Sequence, residues 1–121
     1  MDELTLGFDF SEQTLVLSDS IIEALGHPEY IQLCLDEEKC HLMIRACGKE
    51  EAQAIVLEPG TVEISGRSVM KKVKQLLSWS DDPPRLAYGV SLPAYNAVLF
   101  DLRDAEPAAY DKEGVLWTGN A

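Results

Sequence analysis

The stretch YIQLCLDEEKCHLMIRAC, residues 30–47, decides the fold class. Apolar and polar residues alternate on both sides of a charged centre, which is the pattern of two half-buried strands joined by a turn. We predict a hairpin whose turn is Asp36–Lys39. The facing pairs on one side are then Leu35 with Cys40, Leu33 with Leu42, and Ile31 with Ile44. That side is wholly apolar, and a one-residue slip would mix the two faces.

Other alternating stretches surround this hairpin, and two stretches carry helical signals. A short helix is predicted at about residues 20–25, where Ser20 and Glu23 form a capping box. A longer helix is predicted at about residues 67–79, with apolar residues at three- and four-residue spacings. The other predicted strands are Leu4–Phe10, Thr14–Leu17, Gln53–Leu57, Thr61–Ile64, Leu86–Leu92 and Val98–Leu102.

These elements indicate one domain of the α+β class. The connections between strands are too short for parallel crossovers, so we expect antiparallel sheets built from hairpins, with the two helices. A chain of 121 residues fits a single domain. We place that domain at residues 1–104 and expect residues 105–121, where the alternation fades, to form a mobile C-terminal tail.

Charge is distributed unevenly along the chain. The formal net charge is −11, and residues 1–38 contain ten acidic residues and no Lys or Arg. An acidic chain binds phosphate backbones poorly, so nucleic acid is a disfavoured partner. No apolar run is long enough to span a membrane, and the N-terminus is acidic where a signal peptide would be basic. We therefore predict a cytoplasmic protein that does not contact membranes. The number of cysteines is odd, which predicts free thiols in a reducing compartment.

Few residues have a spacing that suits chemistry. Cys34, Cys40, His41 and Cys47 lie near one another in sequence, but zinc sites use closer pairs, and the predicted register puts Cys40 on the opposite face. Cys34 opposite His41 is the one candidate nucleophile and base, with no third residue to orient the base. The carboxylate pairs fall in predicted turns, and the glycines form no phosphate-binding motif. We therefore predict no catalytic residue, no metal site, no cofactor and no enzymatic activity.

One predicted helix face departs from the acidic pattern. Arg67, Lys71, Lys72 and Lys74 lie in a stretch without acidic residues, and three of them follow helical spacing. These four are the candidate partner- or anion-binding residues, for an anion, a nucleic acid or an acidic protein. Alternatively, the face is an ordinary solvated surface, or it pairs with the acidic N-terminal unit of the same fold or of a second subunit.

A part of the sequence resembles known bacterial proteins. The stretch TLVLSDSIIEALGHPEYIQL, residues 14–33, followed by Asp36–Ile44, resembles small proteins of Gram-positive mobile elements and prophages. Its strand, short helix ending in Leu-Gly and hairpin are similar to the AbrB-like swapped-hairpin unit of transcription regulators. The resemblance implies a dimer that binds DNA. AbrB-type units contact DNA through basic residues around their first strands, where this chain has none, so no binding residue is carried over.

These observations favour a non-enzymatic interaction module that binds a protein partner or itself, in a gene-regulatory or mobile-element setting. We expect a homodimer, for which the alternating strand Leu86–Leu92 offers an edge that a second copy could pair with. One alternative is a nucleic-acid-binding regulator that uses the Arg67–Lys74 face. Another is a small-molecule-binding or enzymatic domain whose pocket the sequence does not reveal.

Overall fold

In the described part of the chain, two α-helices and two short 3-10 helices, Pro93–Tyr95 and Leu102–Asp104, interrupt the strands and turns. The computed structural model describes residues 3–60 and 62–118, and the predicted α+β class with antiparallel strands is confirmed there. Helix α1 is Asp19–Ala24 and helix α2 is Arg67–Leu77. The strands are β1 (Thr5–Asp9), β2 (Thr14–Leu17), β3 (Tyr30–Asp36), β4 (His41–Cys47), β5 (Ile55–Val56), β6 (Glu63–Ser65), β7 (Arg85–Leu92), β8 (Ala97–Asp101), β9 (Glu106–Pro107), β10 (Ala109–Tyr110) and β11 (Leu116–Trp117). Thr61, the first residue of one predicted strand, lies outside the described residues.

The ends of both helices differ slightly from the prediction. Ser18 precedes the first residue of α1, so the predicted capping box at Ser20 is wrong. The Ser20 hydroxyl instead donates to the Glu3 carbonyl over 2.6 Å, which ties the helix to the chain entering β1. Helix α2 ends earlier than predicted because Ser78 adopts the left-handed conformation, with φ at 55°.

Nine strands form one antiparallel sheet in the order β5-β3-β4-β8-β7-β1-β2-β6, with β9 beside β7. β7 is shared between two halves of this sheet: residues 85–88 pair with β1, and residues 89–92 pair with β8. The prediction that Leu86–Leu92 offers a free edge is therefore wrong for the first part of β7, because β1 and β9 flank residues 85–86 and β1 pairs with residues 87–88. Residues 89–92 pair with β8 on one side, and no described strand pairs with residues 90–92 on the other side.

The sheet curves around a single core, so that its terminal strands β5 and β6 line one small cavity of about 230 Å³. Phe8 of β1, Leu42 of β4 and Phe100 of β8 are fully buried in this core. Helix α1 contributes Ile21 and helix α2 contributes Val73 to the same cluster. Burial of this shared apolar surface holds both halves of the sheet and both helices together.

The hairpin of β3 and β4 has the predicted faces but not the predicted pairs. The observed pairs include Leu35 with Leu42, Leu33 with Ile44, and Cys34 with Met43. The turn covers residues 37–40, because Asp36 Oδ1 accepts from the N–H groups of Glu38 and Lys39 and Cys40 adopts the left-handed conformation, with φ at 55°. Each paired residue now lies two positions away from the predicted partner, so the side chains of β3 and β4 stay on their predicted faces, while Cys40 leaves the strand for the turn.

Small residues line the inner side of β7. A Cβ atom at Gly89 would lie 2.6 Å from Cε1 of Phe100 and 2.7 Å from Cγ1 of Val98, so only glycine leaves room for the Phe100 ring. Ala87, two positions before Gly89 and on the same side of β7, is fully buried. The larger apolar residues of this strand, Leu86, Tyr88, Val90 and Leu92, therefore lie on the outer side of the sheet.

The segment that follows Asp104 lies against the domain. β9 pairs with β7, and the Ala108 N–H donates to the Pro84 carbonyl over 2.8 Å. β10 and β11 pair with each other, and Leu116 covers Gly7, where a Cβ atom would lie 2.5 Å from Leu116 Cδ2. Residues 105–118 thus contact the domain that we predicted to end at residue 104. The mobility predicted for residues 105–121 stays a prediction, and residues 119–121 lie outside the described chain.

Candidate functional site

Helix α2 brings three of the four predicted site residues to one face. Arg67, Lys71 and Lys74 line a shallow cavity of about 290 Å³, as their helical spacing predicts. Lys72 does not line this cavity and is exposed on another part of the helix. The structure therefore assembles a basic face, with Lys72 beside it.

Part of the positive charge on this face is already engaged. The Lys74 ammonium forms an ion pair with Asp81, which follows the helix, and Arg67 Nε donates to Gln13 Oε1 over 2.6 Å. Lys71 and Lys72 are exposed and form no ion pair with any described residue. Arg67 also keeps its charge, because Gln13 is neutral, so three cations are available to a ligand, which is a small number for an anion-binding surface on an acidic chain.

The sulfur and imidazole groups are not arranged as a catalytic pair. In the observed register Cys34 and His41 are diagonal neighbours, and Cys34 Sγ donates to Gln32 Oε1 over 3.8 Å. His41 Nε2 lies 3.8 Å from Asp101 Oδ2. Burial raises the pKa of the Cys47 thiol, which lowers its fraction of reactive thiolate. In residues 3–60 and 62–118, no group of three or more His, Cys, Asp or Glu side chains could hold a metal ion.

The outer side of the sheet carries a row of four apolar side chains, one from each of four neighbouring strands. Val90 of β7 pairs with Leu99 of β8, Leu99 pairs with Met43 of β4, and Met43 pairs with Cys34 of β3. We call these four residues the apolar stripe. Val90 exposes 64% of its surface and the other three are half-buried. The residues next to them along the strands, such as Phe100 and Leu42, are buried in the core, so the stripe points away from it.

Both borders of the apolar stripe contain polar or charged residues, and one of them also contains two apolar residues. Two positions along each strand in one direction lie Tyr88, Asp101, His41 and Asp36, and in the other direction lie Leu92, Ala97, Arg45 and Gln32. Hydrogen bonds and charge from Arg103 lower the pKa of Asp101, against the opposing effect of burial. Arg45 Nε donates to Gln32 Oε1 over 2.7 Å, and its guanidinium lies 3.5 Å from Glu51. One border thus carries two carboxylates and the other carries a cation.

A cavity of about 650 Å³ lies between α1, the turn that leads into β3, and the connection from β5 to β6. Its apolar wall includes Ile22, Tyr30 and Val56, of which the last two are paired across β3 and β5. No Lys or Arg is among the described residues that line it. We call it the acidic cavity, after its carboxylate side chains Asp19, Glu23, Glu29 and Glu58.

Neither the apolar stripe nor the acidic cavity was predicted from the sequence. A signal for the stripe was present in β7, where Ala87 and Gly89 alternate with larger apolar residues, but the choice of inner side depends on the Phe100 ring. A signal for the cavity was present in the excess of acids over residues 1–38, which supply three of its four carboxylates. The wall formed by residues 56–60 and 62 could not be inferred, because it comes from a distant part of the chain.

Comparisons with known proteins identify no relative. No family model matches the sequence, and no curated protein or solved structure matches the chain. Among the described helices, neither α1 nor α2 has the length and apolar character needed to cross a membrane.

Proposed function

We propose that this chain is a non-enzymatic interaction module that pairs with a second copy of itself through the apolar stripe. The observation that supports this proposal is a contiguous apolar row on the outer side of the sheet, with Val90 64% exposed and polar residues on both borders. Exposed apolar patches that are rimmed by polar residues mark association surfaces. Face-to-face packing needs no free strand edge, so the interior position of β7 does not prevent it.

The borders of the stripe are complementary under two-fold symmetry. When the two-fold axis runs along the stripe, the stripe of one copy lies on the stripe of the other. The border with Asp36 and Asp101 then faces the border with Arg45 of the partner subunit. Opposite charges across an interface set the register and suppress other arrangements.

The balance of charge also favours this face over the rest of the surface. The chain has a net charge of −11, so most pairs of surfaces on two copies repel each other. On this face, Arg45 and Arg103 partly offset Asp36, Asp101 and Glu51. Two copies therefore meet here with little net repulsion.

The size of the face predicts a weak dimer. Strands are about 4.8 Å apart and alternate residues about 6.8 Å apart, so the stripe with its borders covers about 20 Å by 20 Å. That is about half of the roughly 800 Å² per partner that stable complexes bury. We expect self-association in the micromolar range and a monomer at high dilution.

Sedimentation equilibrium over a range of protein concentrations tests this proposal. The wild-type chain should self-associate, and Val90→Lys should abolish self-association because it places an ammonium group at the β7 end of the stripe, where the two-fold arrangement sets it against the same group of the second copy. Val56→Lys is the matched control, since Val56 is also an exposed strand valine, 54% exposed, and lies outside the stripe. A monomeric wild-type chain at high micromolar concentration, or equal loss in both variants, would sink the proposal.

Nucleic-acid binding is the second candidate function, because Lys71 and Lys72 are exposed without an ion pair among the described residues. It predicts a gel-shift complex with duplex DNA at low salt that weakens steeply as salt is added and disappears in Lys71→Glu with Lys72→Glu. If no complex forms at low salt, this candidate is removed.

Our proposal also includes the setting of the protein. The sequence resemblance supports a gene-regulatory or mobile-element setting, and the composition supports a cytoplasmic location.

A further inference from the structure

We infer that the acidic cavity is a second binding site, which takes an extended basic segment of a partner protein. One Lys or Arg side chain would enter the cavity, and the segment's backbone would run along the free edge of β5. This inference goes beyond self-association, since none of the four residues of the apolar stripe lines the cavity.

The wall of the cavity suits the stem of a long cationic side chain. Ile22 from α1, Tyr30 from β3 and Val56 from β5 provide apolar surface, and Val56 exposes 54% of its area. Lys and Arg bury their methylene groups along such surfaces while the charged group stays near water or a carboxylate. A volume of about 650 Å³ lies within the range of cavities that hold small ligands or a few side chains.

The charge of the cavity selects for a cation. None of its four carboxylates forms an ion pair within residues 3–60 and 62–118. Their common field therefore attracts a positive group and repels phosphate. The carboxylates are also spread over α1, the turn before β3 and the β5–β6 connection, and no described group of acids converges as metal ligands. An organic cation with an apolar stem matches this arrangement better than a bare ion.

Backbone hydrogen bonds hold the cavity open before any ligand arrives. The Leu57 N–H donates to the Glu29 carbonyl over 2.8 Å, and the His27 N–H donates to the Ile22 carbonyl over 2.9 Å. These bonds fix the turn before β3 against both α1 and the end of β5. A preformed site loses little conformational entropy on binding, which increases affinity.

The edge of β5 explains why the ligand should be a peptide. β5 pairs with β3 on one side only, and no described strand pairs with its other side. Since Leu57 bonds to Glu29, the alternation of an antiparallel ladder points the N–H and C=O groups of Val56 away from β3. An extended segment can pair with these groups, as in strand addition to a sheet edge. Its alternate side chains would then point toward the cavity.

Fluorescence anisotropy with a labelled peptide of alternating Lys and Val residues tests the inference on the whole chain. The wild-type chain should bind this peptide, and a peptide of alternating Glu and Val should not bind. Glu23→Gln with Glu29→Gln should weaken binding by about tenfold, since two of the four carboxylates are lost. Glu12→Gln with Glu37→Gln is the matched control, because it removes the same charge from exposed positions outside the cavity.

Some results would overturn the binding site itself, and another would overturn only the choice of a peptide as its ligand. No binding to the wild-type chain at low salt, or equal weakening by the two double variants, would overturn the inference, because only bulk attraction would then remain. Competition by butylamine at the same concentration as the peptide would overturn the peptide assignment, since the ligand would then be a free amine. Val56→Lys should weaken peptide binding and leave self-association intact, while Val90→Lys should do the reverse. This pair of variants separates a failure of this inference from a failure of the proposed self-association.

Discussion

Tyr110 donates its hydroxyl hydrogen to Asp9 Oδ2 over 2.6 Å, which joins two residues that are 101 positions apart. Asp9 is buried in the outer side of β1 and also accepts from the Ser11 hydroxyl at 2.8 Å and the Glu12 N–H at 3.2 Å. Burial acts to raise the pKa of Asp9, but these hydrogen bonds outweigh it and the pKa is lowered. The C-terminal segment is therefore attached to the domain by a hydrogen bond to a buried carboxylate.

We predict that Tyr110→Phe lowers the free energy of unfolding by about 1–2 kcal/mol, since a buried carboxylate loses a hydrogen-bond donor. Urea denaturation followed by circular dichroism measures this change. Tyr95→Phe is the matched control, because Tyr95 is 72% exposed and its hydroxyl makes no hydrogen bond with described residues. An equal effect of the two substitutions would show that the contact with Asp9 adds no stability.

The lowered pKa of Asp9 predicts that its contribution to stability disappears in acid. In the folded chain this pKa lies below the ordinary value of 3.8, so the unfolded chain takes up the proton first as the pH falls. The contribution is complete above the unfolded-state pKa and is lost as the pH falls through the folded-state pKa. The melting temperatures of wild type and Asp9→Asn should therefore differ most near neutral pH, and the difference should shrink as the pH falls below the ordinary value of 3.8.

A residual pH dependence should remain in Asp9→Asn. Hydrogen bonds from Arg103 lower the pKa of Asp101 as well, so this second carboxylate also favours the folded chain above its own folded-state pKa. A difference between wild type and Asp9→Asn that stays constant from about pH 7 to about pH 3 would contradict the assignment of the lowered pKa to Asp9.

We predict that Gly89→Ala destabilises the chain by about 1–3 kcal/mol through overpacking. The added Cβ atom would meet the Phe100 ring at 2.6 Å and a Val98 methyl at 2.7 Å, both in the buried core. Urea denaturation of Gly89→Ala in the wild-type and Phe100→Leu backgrounds gives the coupling between the two sites. Gly89→Ala should lower the free energy of unfolding by less in the Phe100→Leu background, which lacks the ring. Equal losses in the two backgrounds would contradict a clash with Phe100.

The sequence predicted the elements of this fold more reliably than their partners. The alternation over residues 30–47 was sufficient for the hairpin and its faces, because side chains on a strand alternate whatever the register. The interior position of β7 was missed because its partner β1 comes from a distant part of the chain, whereas its other partner β8 follows it directly in sequence. For the same reason the acidic cavity was missed, although its carboxylates were counted.

The register of the β3–β4 hairpin provides the last prediction, because it depends on Cys40. In the structure Cys40 is the last residue of the turn, with φ at 55°, a conformation that Asn tolerates and a β-branched residue does not. Cys40→Val should therefore lower the free energy of unfolding by about 1–2 kcal/mol relative to Cys40→Asn.

Cys34 is the matched control for this comparison, because it lies within β3, where β-branched residues are favoured over Asn. The order of the two substitutions should reverse there, with Cys34→Val at least as stable as Cys34→Asn. Urea denaturation at low protein concentration measures all four variants on the monomer. If Val were the better residue at position 40 as well, Cys40 would have to lie in an extended strand opposite Leu35, and the turn would be Asp36–Lys39 after all.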